Sequence, residues 1–77
     1  MIQISIEIPD EALTALRLSP QDFAQELRLT AAVKWYELRR ISQGQAAKIA
    51  GLSRAEFITR LEQFRVSPFQ YDDDNLT

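Results

Sequence analysis

The residues of this chain best suited to chemistry run from Gln43 to Glu62, QGQAAKIAGLSRAEFITRLE, and the chemistry they suit is recognition rather than reaction. Their spacing is that of a helix-turn-helix. Ala47 falls where two helices would cross, so its side chain must be small. Gly51 follows four residues later, where the turn needs a left-handed backbone. Leu52 would plug the corner, and Ser53 would cap the second helix. Phe57 and Leu61 would pack back onto the first helix, which leaves Arg54, Ala55, Thr59 and Arg60 pointing outward. With Gln43, Gln45 and Lys48 from the first helix, these are the candidate DNA-binding residues: cations for phosphates, and amide, hydroxyl and methyl groups for base edges in the major groove. A plain helical hairpin that only packs would show the same apolar pattern. Two features suit that alternative: Glu56 lies near the groove face, where it would repel phosphates, and the chain as a whole has a net charge of −2. A capping role for Glu56 would instead draw its carboxylate back toward the helix start.

Reaction chemistry has little to work with. The chain contains no histidine and no cysteine, so the usual general base, thiol nucleophile and zinc ligands are missing, and there is no glycine-rich phosphate loop. The only acidic cluster is Asp72–Asp74, near the C-terminus. The expectation is a protein that is not an enzyme and carries no cofactor or metal.

The elements that must hold the recognition residues can be read from period and capping. Ile2, Ile4, Ile6 and Ile8 alternate with Gln3, Ser5 and Glu7, the pattern of a half-buried strand ended by Pro9. Nothing later in the chain reads as its partner, so the predicted partner is the same strand of a second copy, giving a two-stranded ribbon across a twofold axis. In ribbon-helix-helix proteins the outward strand residues read DNA. Gln3 and Ser5 suit that role and Glu7 does not, so the ribbon reads more simply as structural.

A short helix is predicted from Asp10 to Leu18, with Leu13 and Leu16 turned inward. Ser19-Pro20 starts a long helix running to about Arg39 or Arg40. Its apolar residues take two faces: Ala24, Leu27, Ala31, Trp35 and Leu38 on one, and Leu29, Ala32, Val33 and Tyr36 around another. A helix that is apolar over so wide an arc is covered from two sides, and the second cover is assigned to another subunit. The predicted dimer interface therefore comprises Ile2, Ile4, Ile6, Ile8, Leu29, Val33 and Tyr36. Trp35 and Tyr36, beside Lys34, could form a stacking platform for nucleic acid, but at helical spacing they read as core or dimer interface. Two shorter helices follow, with capping boxes Ser42–Gln45 and Ser53–Glu56; the last runs to about Arg65 and buries Phe57, Ile58, Leu61 and Phe64.

The predicted fold is thus mostly α: an N-terminal β-strand, four helices of which the last two form the helix-turn-helix, and an acidic C-terminal tail. One domain spans residues 1–66, and the tail spans 67–77. Seventy-seven residues are few for a self-sufficient core, while an apolar content of 45% is well above that of disordered chains. Both facts favour a homodimer. Residues 34–65 carry a net charge of +4, between flanks of −3 each, which suggests separate surfaces for separate partners. Phe69, Tyr71, Asp72, Asp73 and Asp74 are the candidate partner-binding residues: aromatic anchors and acidic groups for a basic groove, the alternative being a solubilising end. Met1 opens directly onto alternating residues, without a basic start or an apolar run of membrane-spanning length, so the expected location is cytoplasmic, with no membrane partner.

ISIEIPDEALTAL, followed by SPQDFAQELRLTAAVKWYELRRISQGQAAKIAGLSRAEFITRLEQFRVSPFQYDDD, resembles uncharacterised protein family 175, small prokaryotic proteins predicted to be antitoxins. The likeness covers nearly the whole chain and is most specific over KWYE and ISQGQAAKIAGLSRAEF. The chain departs from the family pattern at Gln45, where Lys or Arg is common, and in the shortness of its tail after Tyr71. The resemblance implies that residues 43–62 bind the operator of their own operon, on double-stranded DNA. It also implies that the C-terminal stretch contacts and inhibits a co-encoded toxin, often a nuclease. The alternative is a dimeric adaptor that keeps the helix-turn-helix shape without DNA.

Overall fold

Three serines start three of the four helices. The computed structural model describes residues 1–69, with α1 (Asp10–Leu16), α2 (Pro20–Glu37), α3 (Gln43–Ala50) and α4 (Arg54–Gln63). The hydroxyls of Ser19, Ser42 and Ser53 accept from the backbone N–H groups of Asp22, Gln45 and Glu56, each at 3.1 Å. In α3 and α4 the boxes close reciprocally. Gln45 accepts from the Ser42 N–H at 2.8 Å, and Glu56 from the Ser53 N–H at 2.9 Å. Each helix thus satisfies its first free donors locally, before any tertiary contact is made.

All four helices also end in one way. A left-handed residue follows each helix: Arg17, Arg39, Gly51 and Arg65, with φ of 56°, 62°, 74° and 57°. The N–H of the next residue reaches back five positions, from Leu18 to Leu13, Arg40 to Trp35, Leu52 to Ala47 and Val66 to Leu61. These are Schellman closures, and three of the four place an arginine where glycine is ordinarily favoured. The ends predicted at Leu18, Arg39–Arg40 and Arg65 each overrun the observed helix into this closing turn.

The core is assembled around α3. Leu29, Ala32, Val33 and Tyr36 of α2, Ala46, Ala47 and Ala50 of α3, Phe57 and Leu61 of α4, and Val66 are buried, with Ile41, Ile49, Leu52 and Phe64 packed at the margin. Phe57 and Leu61 are sealed from solvent entirely. The Tyr36 and Phe57 rings meet edge to face, 6.0 Å between centroids, and so join α2 to α4. Polar clamps reinforce the α2–α3 contact: Gln25 Nε2 donates to the Ala50 carbonyl at 3.2 Å and Arg28 Nε to the Ile49 carbonyl at 2.8 Å.

The predicted N-terminal strand does not form. No β-strand occurs among the described residues, and exposure falls from 87% at Ile2 through 78% and 62% at Ile4 and Ile6 to 37% at Ile8. Alternating isoleucines favour a strand only where a neighbouring strand supplies ladder partners, and the described residues offer none. The dimer ribbon assigned to Ile2, Ile4, Ile6 and Ile8 falls with it, as does base reading by Gln3 and Ser5. Leu29, Val33 and Tyr36, assigned to a dimer interface, are instead core residues facing α3 and α4 of their own chain. Leu16 is exposed rather than turned inward, and only Leu13 of that pair is half-buried. No helix among the described residues is long and apolar enough to cross a membrane.

Candidate nucleic-acid interface

The α3–α4 pair has the geometry that its spacing predicts. Ala47 is buried at the crossing, Gly51 makes the left-handed turn at φ 74°, and Leu52 fills the corner at half burial. A Cβ on Gly51 would lie 3.2 Å from Arg28 Nη2. The turn is therefore closed from behind by an α2 side chain as well as by its own backbone.

The seven candidate residues do not form one surface. Ala55 and Thr59 are exposed on the outer side of α4, and the Thr59 hydroxyl donates back to the Ala55 carbonyl at 3.2 Å. Arg54 and Arg60, six residues apart on a helix that turns 100° per residue, project about 120° apart on the two flanks. Arg60 borders a concavity of about 240 Å³ that Asp22, Gln25 and Glu26 of α2 also line, so its surroundings are partly acidic. Lys48 is exposed on α3. Gln45 is committed to its capping box through its side-chain oxygen.

Gln43 is the centre of a junction rather than a free reader. Its Nε2 donates to the Pro68 carbonyl at 3.1 Å and to the Tyr36 hydroxyl at 3.5 Å, while its Oε1 accepts from Arg54 Nε at 2.7 Å. The Tyr36 hydroxyl donates to the same Pro68 carbonyl at 3.0 Å. One amide thus ties together α2, α3, the start of α4 and the first residues of the tail.

Around this junction lies a concavity of about 450 Å³, lined by Tyr36, Arg39, Arg40, Ile41, Ser42, Gln43, Gln45 and Arg54. Three guanidinium groups at the N-terminal end of α3 make a surface suited to a phosphate, since the helix end adds its own partial positive charge. Arg39 and Arg40 were absent from the predicted site. Their signal in the sequence was a dibasic pair immediately ahead of the Ser42 cap, and the closing turn of α2 carries that pair round to the start of α3.

Acidic groups stand on α4 as well. The Ser53 N–H, then its hydroxyl, holds the Glu56 carboxyl below the usual carboxylate range, and the Arg60 charge acts in the same direction. Glu56 is ionised and drawn back to its cap. Glu62 remains exposed on the same helix. Of the predicted partner-binding residues, Phe69 is exposed, whereas Tyr71, Asp72, Asp73 and Asp74 lie outside the described residues.

Fold and site define a small helical protein whose last two helices form a capped helix-turn-helix with a basic concavity at its entrance. The family model described as Uncharacterised protein family (UPF0175) matches residues 1–77. A UPF0175 protein of Aeropyrum pernix is 36% identical over 74 residues, covering 96% of this chain and 78% of that one. No solved structure matches the chain. The chain belongs to UPF0175.

Proposed function

We propose that this chain is an antitoxin-type DNA-binding protein, which holds its own operator through α3 and α4 and neutralises a co-encoded toxin through its C-terminal segment. The observation that carries the DNA part is the conjunction of a doubly capped helix-turn-helix with Arg39, Arg40 and Arg54 gathered at its entrance. In this reading Arg40, Arg54 and Lys48 take phosphates, and the start of α3 sits against the backbone. The exposed methyl of Ala55 and the hydroxyl of Thr59 then meet base edges in the major groove. Arg60, beside Asp22 and Glu26, plays the smaller part. The toxin reading is supported by the composition of the segment after Pro68, with Phe69 exposed and Tyr71 and three aspartates following; such groups suit a basic groove that otherwise takes nucleic acid. Glu56 and Glu62 on α4 favour the alternative, a protein-binding adaptor.

The test retards the chain's own upstream DNA at low salt. Arg54→Ala should weaken binding more than Arg60→Ala, and Arg17→Gly, remote on α1, should leave it unchanged. Deleting residues 70–77 keeps the Pro68 anchor. It should preserve folding and DNA binding while abolishing capture of the neighbouring reading frame's product. No retardation by the wild type, with or without that product, would leave the adaptor reading. Undiminished capture after the deletion would move the partner site onto the helices.

A further inference from the structure

The long helix carries a second apolar face that its own core does not use. Ala24, Leu27, Ala31, Trp35 and Leu38 lie within about 40° of Ala31 around the axis of α2, while Leu29, Val33 and Tyr36 lie on the opposite side, against α3 and α4. Leu27, Trp35 and Leu38 are exposed to 40%, 38% and 55%. The steps along this face are 3, 4, 4 and 3 residues, averaging the 3.5 of a coiled-coil seam. They are also symmetric about Ala31, and this symmetry points to the occupant.

We infer that α2 pairs with α2 of a second copy, antiparallel, across a twofold axis at Ala31. In that arrangement Ala24 meets Leu38 of the other copy, Leu27 meets its Trp35, and Ala31 meets itself. Large side chains fall opposite smaller ones in every layer, and only small ones meet at the axis, as even packing demands. A parallel pairing would stack Trp35 on Trp35 and leave a gap between the two Ala24 methyls. Charge does not oppose the approach. On one border Lys34 is paired with Glu37 at 3.0 Å, and on the other Arg28 is turned to the Ile49 carbonyl at 2.8 Å. Lys34 and Arg28 are the charged residues nearest the seam, beside Leu27 and Trp35.

Five side chains over four turns fall short of the roughly 800 Å² per partner of a standard stable interface, so the dimer should dissociate in the micromolar range, on the order of 10 µM. The pairing uses none of the residues at the basic concavity. It leaves both helix-turn-helix units on the outer sides, each α4 one helix layer behind its α2 through the Tyr36–Phe57 contact. Three layers of about 8–10 Å then separate the two α4 helices by up to roughly 30 Å, near the ~34 Å between successive half-sites on DNA.

The test needs no DNA, so its failure is separate from failure of the proposed function. Sedimentation equilibrium of the full chain across about 1–200 µM should show monomer passing to dimer within that range. Ala31→Glu and Ala31→Lys, each alone, should stay monomeric with unchanged helix content, because each sets like charges against each other at the axis. Mixed, the two should form a heterodimer. Since the chain has no cysteine of its own, Ala31→Cys gives a second readout that survives if the charged variants fold poorly. It should cross-link to a dimer on oxidation, whereas Gln21→Cys, remote from the axis, should not. A monomer at 200 µM, a dimer untouched by Ala31→Glu, or equal cross-linking of both cysteine variants would overturn the pairing.

Discussion

Gly51 and Arg28 show how closely single residues set the α3–α4 turn. Gly51 is left-handed, and Arg28 crosses behind it to hold the Ile49 carbonyl at 2.8 Å. In Gly51→Ala the left-handed backbone would be strained, and the new methyl, 3.2 Å from Arg28 Nη2, would make the guanidinium give by a few tenths of an ångström. The expected loss is about 1–2 kcal/mol, read as a lower urea midpoint at unchanged slope. An unchanged midpoint would mean that the turn does not depend on its glycine. At Arg17 the argument runs in reverse. Its φ of 56° costs an arginine what glycine avoids, so Arg17→Gly should raise stability by a few tenths of a kcal/mol, the gain being reduced by the greater freedom of glycine in the unfolded chain. Glu56 adds a pH dependence. Its Ser53 cap lowers its folded-state pKa. The contribution is therefore complete above the unfolded carboxylate value and is lost as pH falls through the lower folded value. Glu56→Gln keeps an acceptor for the Ser53 N–H but does not titrate there. Its melting temperature should fall less than that of the wild type between about pH 5 and pH 3.

Among the elements, the capped starts were legible, whereas three of the four ends were not. Ser19, Ser42 and Ser53 announce their helices because the capping hydroxyl, the N–H that donates to it and, for Ser42 and Ser53, the Gln or Glu that closes the box all lie within four residues. Gly51 announces an end for the same local reason. Arg17, Arg39 and Arg65 do not, since arginine has no preference for a left-handed backbone, and each predicted helix ran on through them. The isoleucine alternation misled for a different reason: a strand needs a partner, and period alone cannot supply one. On α2 both apolar faces were visible, but which of them met the chain's own α3 depended on distant residues, and Leu29, Val33 and Tyr36, assigned to a subunit interface, proved to be core. The basic concavity was missed because Arg39 and Arg40 reach α3 only through the closing turn of α2. The site's apolar frame, by contrast, was fully legible in Ala47, Leu52, Phe57 and Leu61. Phe57 joins all three packed helices, and Phe57→Ala should cost about 3–5 kcal/mol, most of the stability a chain this small can have. Loss of the cooperative thermal transition by circular dichroism would register it; a shift of only a degree or two would show that the core is centred elsewhere.

For the molecule as a whole, the uneven charge matters more than its sum. A net −2 would repel DNA at long range, yet the basic middle is folded so that Arg39, Arg40 and Arg54 share one concavity while Arg60 is set among acidic neighbours. In the proposed function, DNA is held by phosphate contact at that concavity and at Lys48. The most direct measurement is the equilibrium affinity for fluorescein-labelled upstream DNA, followed by anisotropy from about 50 to 300 mM salt. Each phosphate contact should steepen the log–log dependence by about 0.9. With Arg40, Arg54 and Lys48 engaged, the wild-type slope should be about −3 for each bound copy, and Arg40→Ala and Lys48→Ala should each make it shallower by about one per copy. A wild type that binds without salt dependence, or variants at Arg40, Arg54 and Lys48 that bind as the wild type does, would contradict it.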